Sequence, residues 1–132
     1  MFMQPDRDKA VVSKFLLEGL GRLNPEIVDQ VFAPGHALSS PEFGTQVITG
    51  TRIIKSAIEE FRNEVGQIKC TIQRQIKEGE WVATSYTLSE ANDVHVGTLF
   101  SRVVAGKITE SFVVARTISV AEARISARKA FN

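Results

Sequence analysis

One cysteine, Cys70, is the only thiol in the 132 residues. It cannot close an internal disulfide, and with two histidines in the whole chain no Cys/His cluster can build a zinc site. No metal and no organic cofactor are expected, and Cys70 reads as a small buried hydrophobe. An excess of one charge is also missing. Sixteen Lys and Arg against fifteen Asp and Glu leave a net charge of +1, so no nucleic-acid partner is expected. No run of 18 apolar residues occurs, which argues against a transmembrane helix and a membrane partner. The N-terminal "MFMQPDRDKAVV" is too polar for a signal peptide, and the expected location is the cytoplasm.

What is present is an ordinary globular balance, 43% hydrophobic and 23% charged. That is enough for one core without staples. A single domain over residues 1–132 is expected, with its core at about 8–118 and a C-terminal helix or tail at 119–132. Residues 6–20 repeat with helical period, with Val11, Val12, Phe15, Leu16 and Leu20 on one stripe, Asp6 as N-cap and Gly21 as stop. A second helix follows Asn24 and Pro25, presents Ile27, Val28 and Val31, and is ended by Pro34 and Gly35. "HALSS" suits a short strand. A third helix, capped by Thr51 and closed by Gly66, buries Ile54, Ala57, Ile58 and Phe61.

Beyond Gly66 the period changes to two. "IKCTIQRQIKEG", "EWVATSYTLSEA", "VHVGTLFSRVVAG" and "KITESFVVARTIS" read as an antiparallel meander, with hairpins at "KEGEW" and "VAGKI". Cys70, Ile72 and Ile76 share one face of the first of these strands, and Arg74 interrupts that row. The tail opens with a capping box, Ser119 to Glu122, and carries Arg124, Arg128 and Lys129 on a solvated basic face. Helices first and sheet second give an α+β class. The sheet is a cone-shaped curved antiparallel one, wrapped around three N-terminal helices.

The order of these elements, with the words "DKAVVSKFLLEGL", "VFAP", "ITGTRIIKSAIEEFR", "IKEGEWVATSYTL" and "FSRVVAGKITESF", resembles the nuclear transport factor 2-like (cystatin-like) superfamily. Within it the chain is similar to the SnoaL-like polyketide cyclases. The resemblance implies a cone with an internal pocket and a dimer made through the outer face of the sheet. It also implies where catalytic groups would stand. In steroid isomerases of the superfamily the base precedes a proline after the second helix, which here is Ser40. A first-helix tyrosine is matched by Phe15, and a protonated aspartate of the third meander strand by Leu99. The "H-W-D" of many SnoaL-like cyclases is matched by Ser111, Phe112 and Val113. Each of these positions lacks its ionisable group, so a ketosteroid-isomerase mechanism is not expected. Inward aspartates of the epoxide-hydrolase kind are missing too.

Alternation then places His95, Gly97, Leu99, Ser101 and Val103 inward, opposite Thr109, Ser111, Val113 and Ala115. Phe100, Phe112 and Val114 face outward and suit a partner surface. His36 and His95 are the candidate catalytic groups, because a neutral imidazole can act as a base near pH 7. Phe15, Ser40, Tyr86, Leu99, Ser111 and Val113 are the candidate substrate-binding residues. The plainer readings are a structural His36, a rim His95 and a core Tyr86. Two functions remain open. One is a cofactor-independent cyclase or isomerase acting on a small hydrophobic polyketide- or steroid-like ligand, with dehydratase or epoxide hydrolase behind them. The other is a non-catalytic ligand-binding or dimerisation module that has lost its acid/base residues.

Overall fold

The computed structural model describes residues 6–119. The expected C-terminal helix, with Arg124, Arg128 and Lys129, lies outside the described residues; Ser119 itself ends a strand.

Asp6 accepts hydrogen bonds from the backbone N–H groups of Asp8 and Lys9 at 3.0 and 3.3 Å, and so caps α1, Arg7–Lys14. The expected continuous helix to Leu20 changes pitch instead. Phe15–Leu20 is π-helical. The Gly21 N–H reaches the Leu16 carbonyl at 2.8 Å and the Asn24 N–H that of Gly19 at 2.9 Å, each five residues back. The wider turn buries Phe15, Leu16 and Gly19 together.

Asn24 Oδ1 accepts from the Glu26 N–H at 3.1 Å at the head of α2, Glu26–Val31. This helix stops before Pro34. Lys107 Nζ donates to the Asp29 and Gln30 carbonyls at 3.3 and 2.7 Å, satisfying acceptors that the helix leaves open. Pro34 and Gly35 lie inside a strand, β1, Phe32–Ser39. A short 3-10 turn, Pro41–Phe43, and β2, Ile48–Thr49, lead to α3, Arg52–Glu64. Thr51 occupies the N-cap position of α3, but its side chain makes no capping bond.

The meander is β3 (Lys69–Glu78), β4 (Trp81–Ser89), β5 (Asp93–Val104) and β6 (Lys107–Ser119). Ala105 and Gly106 both hold positive φ in the β5–β6 turn, as a tight two-residue hairpin requires. The open six-stranded sheet runs β2-β1-β6-β5-β4-β3. It is mixed rather than purely antiparallel, because β1 lies parallel to β6. Val12, Leu16, Val28, Ile58, Val82 and Ile108 fill the core between helices and sheet.

Three irregularities bend the sheet and reassign faces. Between Phe32 and Ala37, β1 runs five residues where β6 runs from Ile108 to Glu110. Pro34, which has no N–H to pair, sits in that excursion. Between Ile72 and Arg74 the register of β3 slips against Tyr86 and Ser85. As a result Gln75 turns inward, while Arg74 and Ile76 turn out to solvent. Ile76 therefore does not share a face with Cys70 and Ile72. A third slip at Arg102/Val103 makes Ile108 the buried member of β6. Thr109 leaves the inner row, and its hydroxyl donates to the Arg102 carbonyl at 3.3 Å.

Candidate functional site

The concave side of the sheet and the first helical segment enclose a cavity of about 120 Å³. Its wall is apolar apart from two hydroxyls. Phe15, Leu16 and Leu20 come from the helical side, Phe32 and Leu38 from β1 and Ile54 from α3. Tyr86, Leu99, Ser111 and Val113 come from the sheet. The alternation of β4, β5 and β6 places the sheet residues there, and Leu99 pairs directly with Val113. Phe15 meets Phe32 edge to face at 4.8 Å between ring centroids. Five of the six candidate binding residues thus line one space.

Ser40 is the exception. It is buried, but it begins the 3-10 turn, where its hydroxyl accepts from the Glu42 N–H at 3.3 Å. It caps that turn and does not line the cavity.

Behind Ser111 lies His36. The two are 75 residues apart in sequence, yet His36 Nε2 is 2.7 Å from Ser111 Oγ. The Pro34–Gly35 excursion carries His36 into the core, where it is fully buried, and Phe32 packs edge to face against it at 4.7 Å. Burial lowers the imidazole pKa to about 4, so the ring is neutral at physiological pH. Its Nδ1 has no hydrogen-bond partner among the described residues. His36 is therefore not itself a wall residue. It reaches the cavity through Ser111.

Tyr86 is also buried, and its pKa is pushed up to about 12, chiefly by burial, with Cys70 adding to it. The hydroxyl is a protonated donor. Its ring lies across Gly97, the β5 residue paired with it. A Cβ at position 97 would stand 2.5 Å from Tyr86 Cζ and 2.6 Å from its hydroxyl oxygen, so only glycine leaves room for the ring. Ser101, the register partner of Ser111, carries a buried hydroxyl with no partner among the described residues. Thr84, one row on, accepts from Gln75 Nε2 at 3.2 Å, and Gln75 also ties Ser13 and the Lys9 carbonyl of α1 to the sheet. That network docks the helix. Cys70, pushed up to about 11 by burial, is no nucleophile at neutral pH.

His95 lies elsewhere. Its Nδ1 is 2.8 Å from Thr117 Oγ1 and its Nε2 is 3.2 Å from Glu90 Oε2, and Phe61 packs against it at 5.4 Å. Both ring nitrogens are engaged in tying the β4–β5 turn to β6, and the residue does not reach the cavity. Glu90 borders a larger open cleft of about 840 Å³, lined mostly by loop residues such as Arg22, Gly66 and Ala91, with Lys69 at the start of β3. No buried polar group points into this cleft, so the small cavity is the better candidate site despite its size.

Among the described residues no carboxylate lines the cavity. Among the described residues no group of three or more His, Cys, Asp or Glu is placed to hold a metal ion. Among the same residues no helix is long and apolar enough to cross a membrane. The wall offers two hydroxyl groups and a buried neutral imidazole behind one of them. Such an arrangement can hold an oxygen atom but has no strong base at neutral pH.

The outer face of the sheet carries apolar side chains in solvent. Phe100 and Phe112 are each 39% exposed, and their ring centroids are 6.1 Å apart. The β3 bulge adds Ile76 to the same row through Ala83, which pairs with both Ile76 and Phe100. Val96, Val114 and Trp81 are exposed as well. Arg102 borders the patch, held between Glu80 at 3.0 Å and Glu110 at 3.4 Å.

Residues 12–111 match the family model described as a SnoaL-like domain. No curated protein matches the sequence. Solved structures match over most of their length. A candidate ketosteroid isomerase from Kribbella flavida is 21% identical with a TM-score of 0.69, over 83% of this chain and 78% of that one. IdmH, a candidate polyketide cyclase from Streptomyces antibioticus, is 13% identical with a TM-score of 0.70, over 83% and 92%. A nuclear transport factor 2-like protein of unknown function from Cytophaga hutchinsonii is 16% identical with a TM-score of 0.67, over 88% and 95%. At these identities the likeness establishes the fold.

Proposed function

The chain belongs to the SnoaL-like domain family, and on that premise we propose that it binds one compact hydrophobic molecule bearing an oxygen acceptor, without acid–base turnover of its own. The observation that carries this reading is the cavity wall, apolar throughout except for the Ser111 and Tyr86 hydroxyls. A space of about 120 Å³ is close to that of apolar cavities known to take benzene, about 150 Å³. It is far below the roughly 300–1,000 Å³ of drug-sized sites. A single ring fits such a space, and a polycycle needs the wall to open.

A second reading keeps catalysis, in line with the isomerase and cyclase names of the structural neighbours. The His36–Ser111 contact at 2.7 Å favours it, because a serine beside an imidazole is a nucleophile–base pair in outline. Two features weigh against it. An imidazole held at about 4 is a weak base at neutral pH. Among the described residues its Nδ1 also lacks the third group that would orient the ring and stabilise its cation. In either reading the exposed apolar sheet face suits a second copy of the chain, giving a homodimer.

The test is native mass spectrometry of the freshly purified protein with identification of bound compounds, followed by titration with single-ring ketones. Binding of a compact ketone without its conversion supports the pocket reading. Conversion of the bound compound, lost in His36→Gln, replaces it with the catalytic one.

A further inference from the structure

We propose that His36 is a positioning residue, fixed as the Nε2–H tautomer so that it donates to Ser111 and leaves the Ser111 hydroxyl hydrogen aimed into the cavity. This deepens the small-molecule reading of the same site and rests on it. Its consequence is selectivity for a carbonyl-type oxygen over an isosteric apolar group.

The assignment follows from the two ways a neutral imidazole can share one bond with a hydroxyl. With the proton on Nδ1, the Ser111 O–H donates to Nε2. A buried N–H is then left with no acceptor among the described residues, where Nδ1 has no partner, and Ser111 shows the cavity only lone pairs. With the proton on Nε2, the 2.7 Å contact is an N–H donating to Ser111 Oγ, and Nδ1 keeps only an unmatched lone pair. Orphaned buried N–H groups are rarer in folded proteins than unmatched acceptors. The packing agrees: the Phe32 ring holds the imidazole edge to face at 4.7 Å, and His36 is fully buried.

The Ser111 hydroxyl then has one acceptor site taken by His36 and one hydrogen free. Tyr86 adds the second wall hydroxyl, and it has no side-chain hydrogen bond to another described residue. Ser111 therefore faces the ligand as a donor. A ligand oxygen satisfies it, whereas a ligand without an acceptor leaves it unmade.

Two measurements on the intact protein decide this. Long-range proton–nitrogen correlation spectra of labelled protein, assigned with His36→Gln, report the tautomer. His36 Nδ1 is expected at the shift of a bare ring nitrogen and Nε2 at that of a protonated one; the reverse pattern overturns the proposal. Cyclohexanone and methylenecyclohexane, matched rings ending in C=O and C=CH2, are then titrated. The wild type should favour the ketone by about tenfold, the worth of one net hydrogen bond, and Ser111→Ala should remove most of that preference. Equal binding of the two overturns the selectivity while the pocket reading stands. Failure of both to bind overturns the pocket reading and the selectivity with it.

Discussion

Acidification should weaken this fold through His36. The perturbation is a drop from pH 7.5 to pH 4.5. Burial holds the imidazole at about 4 against an ordinary 6.5, so the folded state refuses a proton that the unfolded chain accepts. Above 6.5 both states are neutral and the full stability is present. Below it, stability falls by about 1.4 kcal/mol per pH unit, and the loss levels off beneath pH 4. With these two values the cost at pH 4.5 is about 2.5 kcal/mol, a large part of the 5–15 kcal/mol that holds a typical domain together. The assay is urea unfolding of the wild type and His36→Gln at both pH values. All groups other than His36 are common to both proteins and drop out of the difference. The wild type should lose about 2.5 kcal/mol more than the variant across the interval. Losses equal to within about 0.5 kcal/mol would mean that His36 takes up its proton in the folded state, and the buried neutral imidazole would be refuted.

Gly97→Ala should act at the opposite wall. The new methyl would press on the Tyr86 ring at 2.5 Å. The ring must swing into the cavity, at a cost of about 1–3 kcal/mol as an overpacked core, and ligand affinity should fall. In Gly97→Ala/Tyr86→Leu the stability loss should be less than the sum of the two single losses, and simple additivity would show that the ring and residue 97 do not touch. On the outer face, Phe112→Glu should turn a dimer into a monomer by light scattering at micromolar concentration while leaving the cavity's ligand affinity unchanged. A wild type that is already monomeric there would remove the sheet face as an interface.

Alternation made the inner row of β5 legible, because Leu99, Ser101 and Val103 follow period two without a break. The caps and helix faces were legible for a similar reason: Asp6, Asn24, Ile54 and Ile58 act over three or four residues. The bulges were not. A single extra residue at Gln73–Arg74 shifts every later side chain of β3 to the other face, and nothing local in "TIQRQIKEG" marks it. Pro34 and Gly35 read as a helix stop because they usually are one. Here α2 has already ended at Val31, and the pair bends a strand. The parallel β1–β6 pairing joins segments some 70 residues apart, which periodicity cannot reach.

The same excursion explains why the site is more than its wall. A straight β1 would keep strict register with β6 from Phe32 onward. The slack around Pro34 instead lets the strand rejoin at Ala37, with His36 brought in behind Ser111. The positions that hold ionisable groups in similar proteins have meanwhile taken other work: Ser40 caps a turn, and Leu99 and Val113 pack against each other and the cavity. Two replacements of that kind reduce both the polarity and the room of the cone. The chemistry left to it is donation, from Ser111 and Tyr86. A hydrogen bond to an oxygen in an apolar space is electrostatically stronger than in water. On the proposed reading, a pocket built this way would suit a carbonyl oxygen, with no strong base beside it among the described residues.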